Sequence, residues 1–313
     1  MRLRDTLAGV HALPATALLA LGLAVGAAAG PAAAQQPAAP QPSAPAAPRA
    51  AGPAAGAPAV IPGTEAMAPH RAAYRLRLDR VRQGSDVVQA EGAMLFEVLD
   101  ACDGWATRQR LQLTVLNRAG DQVETSSDYS TWESKDGRRL RFSLTQTAQG
   151  AVTQRISGEA ELAGAEPGSE GGTVRYEQPS AQQMTLPRGT LLPMMHTIRA
   201  LALAKAGQQR MLNAPLFDGT SEDGAQDSTT LLSPWSEPQA QPRFPLLGGQ
   251  ASARMRIAFF GKESAAAAGA SAPEYEVGLR YFANGVADEM KMDFGDFAVD
   301  GLMQSLEAVP AAC

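Results

Sequence analysis

Leu186–Gly207 reads LPRGTLLPMMHTIRALALAKAG, and it is the one long segment of the chain with a clear helical period. Leu191, Met194, Met195, Ile198, Leu201 and Ala202 recur at i, i+3, i+4 spacing and define one face. Leu192, His196 and Leu203 occupy the flank, so apolar residues cover well over half the circumference. A helix that is apolar most of the way round is a buried helix. The expected element covers about 190–206. Thr190 is the expected N-cap, because its hydroxyl can accept a bond from a first-turn N–H. Pro193 fits the first turn, where its missing N–H costs nothing. Gly207 supplies the stop, since glycine takes the left-handed conformation freely.

Nearly everything on either side of this helix reads as strand. HRAAYRLRLDR (70–80) alternates, with Ala72, Tyr74, Leu76 and Leu78 on one side. Val87–Leu99 returns, with Gly92 as an expected bulge. Trp105–Leu116 alternates through Leu111, Leu113 and Val115. Val123–Glu133 and Arg138–Thr147 flank the hairpin signal Asp136-Gly137, with Leu140, Phe142 and Leu144 inward. Val152–Leu162 and Thr173–Tyr176 lead to the helix. Beyond it come Arg210–Phe217, Thr229–Leu232, Ala253–Phe260, Glu274–Phe282, Val286–Phe294 and Phe297–Glu307. Asn284-Gly285 is the strongest hairpin signal of all. Sequential strands most often pair with their neighbours. The expected fold is therefore mostly β: a long antiparallel meander curled around one central helix.

Residues 1–34 are set apart as a cleavable secretory signal. Arg2 and Arg4 form the positive end, Ala15–Ala29 a short apolar core, and Ala32-Ala33-Ala34 the cleavage site. Residues 35–67 are rich in Pro and Ala and carry almost no charge. They cannot bury enough surface to offset their ordering entropy, and read as a disordered or polyproline-like linker. Residues 68–313 then form a single domain. No later stretch approaches the roughly 20 apolar residues of a membrane-spanning helix. The net charge of −5 argues against nucleic acid and against binding anionic lipid by charge alone.

The two cysteines are Cys102, in the turn Asp100–Gly104, and Cys313. In an exported chain an even count suggests a disulfide. The other readings are two reactive thiols or a metal pair, and neither has a CxxC or a nearby His cluster behind it. His70 and His196 are the only histidines after the leader. A Ser/His/Asp triad would need one of them, and no GxSxG elbow exists. Two separated histidines do not make a zinc site. The pairs Asp293/Asp296 and Glu274/Glu276 have the chemistry of a glycosidase, but acids beside turns are ordinarily solvated. No phosphate-binding glycine loop is present. Neither a metal nor a cofactor is expected, and the chain is read as a non-enzyme.

Several segments resemble the EipB-like family of periplasmic cell-envelope integrity proteins of Gram-negative bacteria. They are HRAAYRLRL, AEGAMLFEVLDACDGW, the helix segment with LFDGT after it, and PEYEVGLRYFANGVADEMKMDFGDFAVDG near the end. The resemblance implies an incompletely closed, barrel-like β-spiral around one helix. It also implies a Cys102–Cys313 bridge and a role in envelope integrity with no established enzymatic activity. The long linker and the Ala-rich insertion at Ser264–Ala272 depart from it.

The leading expectation is a periplasmic protein that binds an envelope ligand or partner on its curved sheet. The ligand would be a lipid, a peptidoglycan fragment or a periplasmic protein. The expected groove lies along Leu191, Met194, Met195, His196, Ile198 and Leu203, facing the strands. A lipid or lipoprotein carrier is the alternative and requires a large apolar interior and a movable helix. A peptidoglycan-directed hydrolase is a further one and requires two inward carboxylates in one cleft.

Overall fold

The computed structural model describes residues 62–261 and 272–311. The expected signal, the expected linker up to residue 61, all but the last residue of the Ala-rich insertion, and Cys313 lie outside the described residues.

Eight strands precede the helix: β1 (His70–Val81), β2 (Val87–Asp100), β3 (Gly104–Asn117), β4 (Gln122–Ser134), β5 (Arg139–Ala148), β6 (Ala151–Leu162), β7 (Gly172–Gln178) and β8 (Gln182–Leu186). Helix α1 spans Pro193–Ala206. Six strands follow: β9 (Met211–Leu216), β10 (Gln226–Leu232), β11 (Ser252–Phe260), β12 (Tyr275–Phe282), β13 (Ala287–Asp293) and β14 (Phe297–Ala308).

All fourteen strands make one sheet, in the order β8-β7-β6-β5-β4-β3-β2-β1-β14-β13-β12-β11-β10-β9. Every pairing is antiparallel. The meander has one feature that neighbour pairing alone does not give. β1 pairs with β14, His70 opposite Ala308 through Val81 opposite Phe297, so the two ends of the domain meet mid-sheet. The free edges are consequently β8 and β9, the two strands that flank α1. The sheet is not closed between them. The segment entering α1 joins one edge, since Leu191 N–H donates to the Pro215 carbonyl (2.9 Å) and Phe217 N–H to that of Leu191 (3.0 Å).

Alternation places the core on the concave side. Ala72, Tyr74 and Leu76 of β1, Leu111 and Leu113 of β3, and Leu140, Phe142 and Leu144 of β5 are all buried. From α1 they meet Met195, Ile198, Ala200, Leu201 and Ala204. Ala202, read from the sequence as part of the buried face, is exposed, and Ala200 and Ala204 take its place. Gly92 is in register with Leu76 and Leu113 and is no bulge. A Cβ there would lie 2.0 Å from the Gln112 carbonyl oxygen, so the position requires close backbone approach. Strand β8 has no counterpart in the sequence reading. It is a largely exposed edge strand, and an edge strand of polar residues shows no alternation. The last residues of the segment read as linker are ordered against the domain: Thr64–Ala66 form a 3₁₀ turn, and Thr64 and Met67 are buried.

The interior is plugged a second time by the LFDGT loop. Phe217 packs edge-on against Phe142 (5.4 Å between centroids) and Tyr176 (6.5 Å). Tyr176 Oη donates to the Ser221 carbonyl at 2.9 Å. Gly219 has φ +77°, and a Cβ on it would meet Phe142 Cγ at 2.3 Å. Gly219→Ala combines left-handed strain with overpacking, and we expect it to lower stability by about 2 kcal/mol in chemical denaturation.

Candidate functional site

The N-terminus of α1 leaves first-turn N–H groups without intrahelical partners. Thr190 does not cap them, because its hydroxyl donates instead to the Pro187 carbonyl (2.7 Å). The N-cap position is Leu192, which has no side-chain acceptor. The cap comes from across the interior. Glu133 of β4 accepts from Met194 N–H at Oε2 (2.7 Å) and from Met195 N–H at Oε1 (2.9 Å). A carboxylate at a helix N-terminus is favoured both by hydrogen bonding and by the helix dipole. Pro193 at the first position has no N–H to satisfy, so the carboxylate meets the next two donors.

Glu133 is 3% exposed. Burial pushes its pKa up to about 7, against the opposing pull of the two helix N–H bonds. Its neighbours follow from strand register. Trp105 of β3 is directly opposite Glu133, then Thr107 opposite Thr131, then Gln109 opposite Tyr129. These inward positions make a polar patch on an otherwise apolar concave wall. Trp105 Nε1 is buried with no hydrogen-bond partner among the described residues. Tyr129 Oη donates to the Asp218 carbonyl. The Asp218 carboxylate accepts from Thr220 N–H (3.0 Å) and Oγ1 (2.7 Å), and burial raises its pKa.

These groups surround a cavity of about 140 Å³ under the start of α1. Both Glu133 and Asp218 line it, with Trp105, Gln109, Tyr129 and Tyr281. Of the six residues expected to form a groove, Met194 and His196 reach this cavity. Leu191, Met195 and Ile198 are packed in the core, and Leu203 is partly buried against it. His196 Nε2 is bonded to Thr230 Oγ1 at 2.8 Å. Burial lowers its pKa to about 4, so it is neutral at neutral pH.

The acid pairs singled out in the sequence are elsewhere. Asp293 pairs with Arg80 and Glu276 with Arg256, so both acids are held by arginines. The inward acids Glu133 and Asp218 had no motif to announce them. They share a cavity, the arrangement a hydrolase would need. Yet both Glu133 oxygens are held by the helix, and the cavity is smaller than the roughly 300–1,000 Å³ of ordinary ligand pockets. The same comparison bears on a lipid carrier, which would have to displace α1 to make room.

A second, larger groove of about 440 Å³ lies across β1–β5. Its charges are largely paired: Arg71 with Glu97, and Arg110 with Asp128 at 2.6 Å. Among the described residues, no group of three or more His, Cys, Asp or Glu side chains could hold a metal ion. Among the same residues no helix is long and apolar enough to cross a membrane.

The fold and this interior define a class: an unclosed, barrel-like antiparallel β-spiral with a central helix capped from the sheet. The model of the EipB-like family matches residues 63–310, and the chain belongs to that family. It is 26% identical over 246 residues to the cell envelope integrity protein EipB of Brucella abortus (strain 2308), covering 77% of this chain and 84% of that protein. Among solved structures it is similar to a β-barrel-like protein of a domain of unknown function from Brucella abortus. That likeness has a TM-score of 0.68 and 25% identity, over 78% of this chain and 99% of the other.

Proposed function

We propose that this protein is an exported, non-enzymatic periplasmic factor that maintains envelope integrity by binding an envelope component or partner protein on the concave side of its sheet. The observation that carries the role is the family match along residues 63–310, together with a relative named for envelope integrity. Export rests on the signal pattern of residues 1–34, with residues 35–61 as a spacer ahead of the domain. The non-enzymatic reading is supported by the engagement of Glu133 with the helix and by the small cavity.

A Cys102–Cys313 bridge belongs to the same proposal. Cys102 is not a free thiol. Ala308 is opposite His70, which is opposite Val98 on β2. Two strand spacings amount to about 10 Å. The residues after Ala308 can reach about 17 Å. The C-terminus therefore leaves the sheet within reach of the β2–β3 turn that holds Cys102.

The test is complementation. Deleting the gene from its Gram-negative host is expected to raise sensitivity to detergent and to cell-wall antibiotics. The full-length gene should restore resistance, and a copy lacking residues 1–34 should not. Equal rescue by the leaderless copy would overturn the periplasmic assignment.

A further inference from the structure

We propose that the cavity beneath the N-terminus of α1 is a binding site for a small organic cation with an apolar body, of the primary alkylammonium type. The inference rests on the reading that the concave side is the binding surface, and it names the ligand chemistry of that surface.

Two observations point to a ligand independently. The first is an unbalanced charge inventory. Glu133 and Asp218 both line the cavity, and among the described residues no Lys or Arg does. Among the described residues neither acid has a cationic side-chain partner. The basic group that lines the cavity, His196, has Nε2 committed to Thr230. Buried acids ordinarily have a cation or a full set of donors. Glu133 accepts two bonds where a carboxylate has about four lone-pair sites, so it has capacity left for an ammonium. The second observation is Gln109. It is 4% exposed, lines this cavity as well as the outer groove across β1–β5, and its side-chain amide has no hydrogen-bond partner among the described residues. Its amide oxygen is a further acceptor for an N–H donor.

The walls sort the ligand. The acids and Gln109 are on the β3–β4 and LFDGT side. Met94, Ile257, Phe259, Leu279 and Met290 make an apolar side. An ammonium head with a short hydrocarbon body satisfies both. Tyr129 and Tyr281 add aromatic rings, whose faces attract cations, while the Trp105 ring already has the Lys135 amino group 5.0 Å from its centroid. An anion would face two carboxylates. A neutral alcohol would forgo the charge-assisted bonds, which are about twice as strong as neutral ones. The volume restricts the guest to a short chain.

The test is calorimetric titration of the full mature protein with n-butylammonium chloride, n-butanol and sodium butyrate. The amine is expected to bind about tenfold or more tightly than the alcohol, with butyrate silent. Asp218→Asn, which retains the oxygen facing Thr220, is expected to weaken the amine by about tenfold while melting like the wild type. Glu133→Gln is the second variant and should weaken the amine likewise. Equal affinity for amine and alcohol, no amine binding, or wild-type affinity in both variants would overturn the proposal. If the amine fails while Asp218→Asn still breaks complementation, the cation is wrong and the concave binding surface stands. If the amine fails and the variant complements fully, both readings fall.

Discussion

Cys102→Ser is expected to lower the stability of the oxidised protein by a few kcal/mol, with Cys313→Ser giving the same loss. Both positions are remote in sequence, so the proposed bridge closes a very long loop. The chain-entropy description assigns such a closure roughly 5 kcal/mol, reduced by residual structure in the denatured chain. In a domain of this size that corresponds to a melting temperature lower by about 10 °C. The local consequence is as informative. β14 lies between β1 and β13, so its strand is secured by ladders on both sides. Among the described residues, the tail beyond Ala308 has one backbone anchor, Val309 N–H to the Pro69 carbonyl at 3.1 Å. Without the bridge that tail should fray and become sensitive to limited proteolysis, while the sheet spectrum is retained. The turn around Cys102 is held independently, by its N–H bonded to Asp100 Oδ1 (2.9 Å) and by the Lys135–Asp100 ion pair (2.6 Å). The serine variants should therefore fold. Wild-type melting and wild-type proteolysis in both variants would show that no stabilising bridge exists. The same experiment under reducing conditions should bring the wild type down to the variants.

The sequence was legible where alternation or capping chemistry was local. Pro193 and Gly207 bracket α1 because each acts on its own turn, and the Gly207 N–H does bond the Leu203 carbonyl. Strands β1, β3 and β5 were legible because one side of each is apolar. Phasing α1 was harder. A helix wrapped on most sides has no single stripe, which is why the period points to Ala202 while Ala200 and Ala204 are the buried residues. Strand β4 was legible as a strand but not as a face. Past Val123 its inward residues Thr125, Ser127, Tyr129, Thr131 and Glu133 are polar or amphipathic, and its outward ones are polar too apart from Trp132. The central feature of the site, Glu133 capping α1, joins residues 61 and 62 positions apart. No local pattern encodes such a contact. Nor does one encode the β1–β14 pairing that turns a meander into a spiral with its edges beside the helix. The signal that could have found Glu133 was the missing acceptor at Leu192, which demands a cap from elsewhere in the chain.

Glu133 also dictates how stability responds to pH. Its pKa is about 7 in the folded protein against an ordinary value of 4.5. Between these values the native state holds a proton that the unfolded state has released. Native Glu133 therefore loses stability as pH rises from about 4.5 to 7, at up to about 1.4 kcal/mol per pH unit. The full span is on the order of 3 kcal/mol. His196 works the other way. Its folded pKa is about 4 against an ordinary 6.5, so its contribution is complete above 6.5 and is lost as pH falls to 4. Asp218 adds to the Glu133 slope and His70 to the His196 slope. Where the windows overlap, the opposing slopes largely cancel, and the wild-type contribution of these groups is nearly flat. Single substitutions should expose each slope. The wild-type minus Glu133→Gln difference, measured by urea denaturation from pH 4 to 8, should fall steadily from 4.5 to 7 and then level. The wild-type minus His196→Gln difference should rise from 4 to 6.5. A Glu133→Gln difference that is flat with pH would mean that the carboxylate titrates as an ordinary one. The burial of an acid without a cation partner would then not be felt at Glu133, and the charge argument for an ammonium guest would lose its first support.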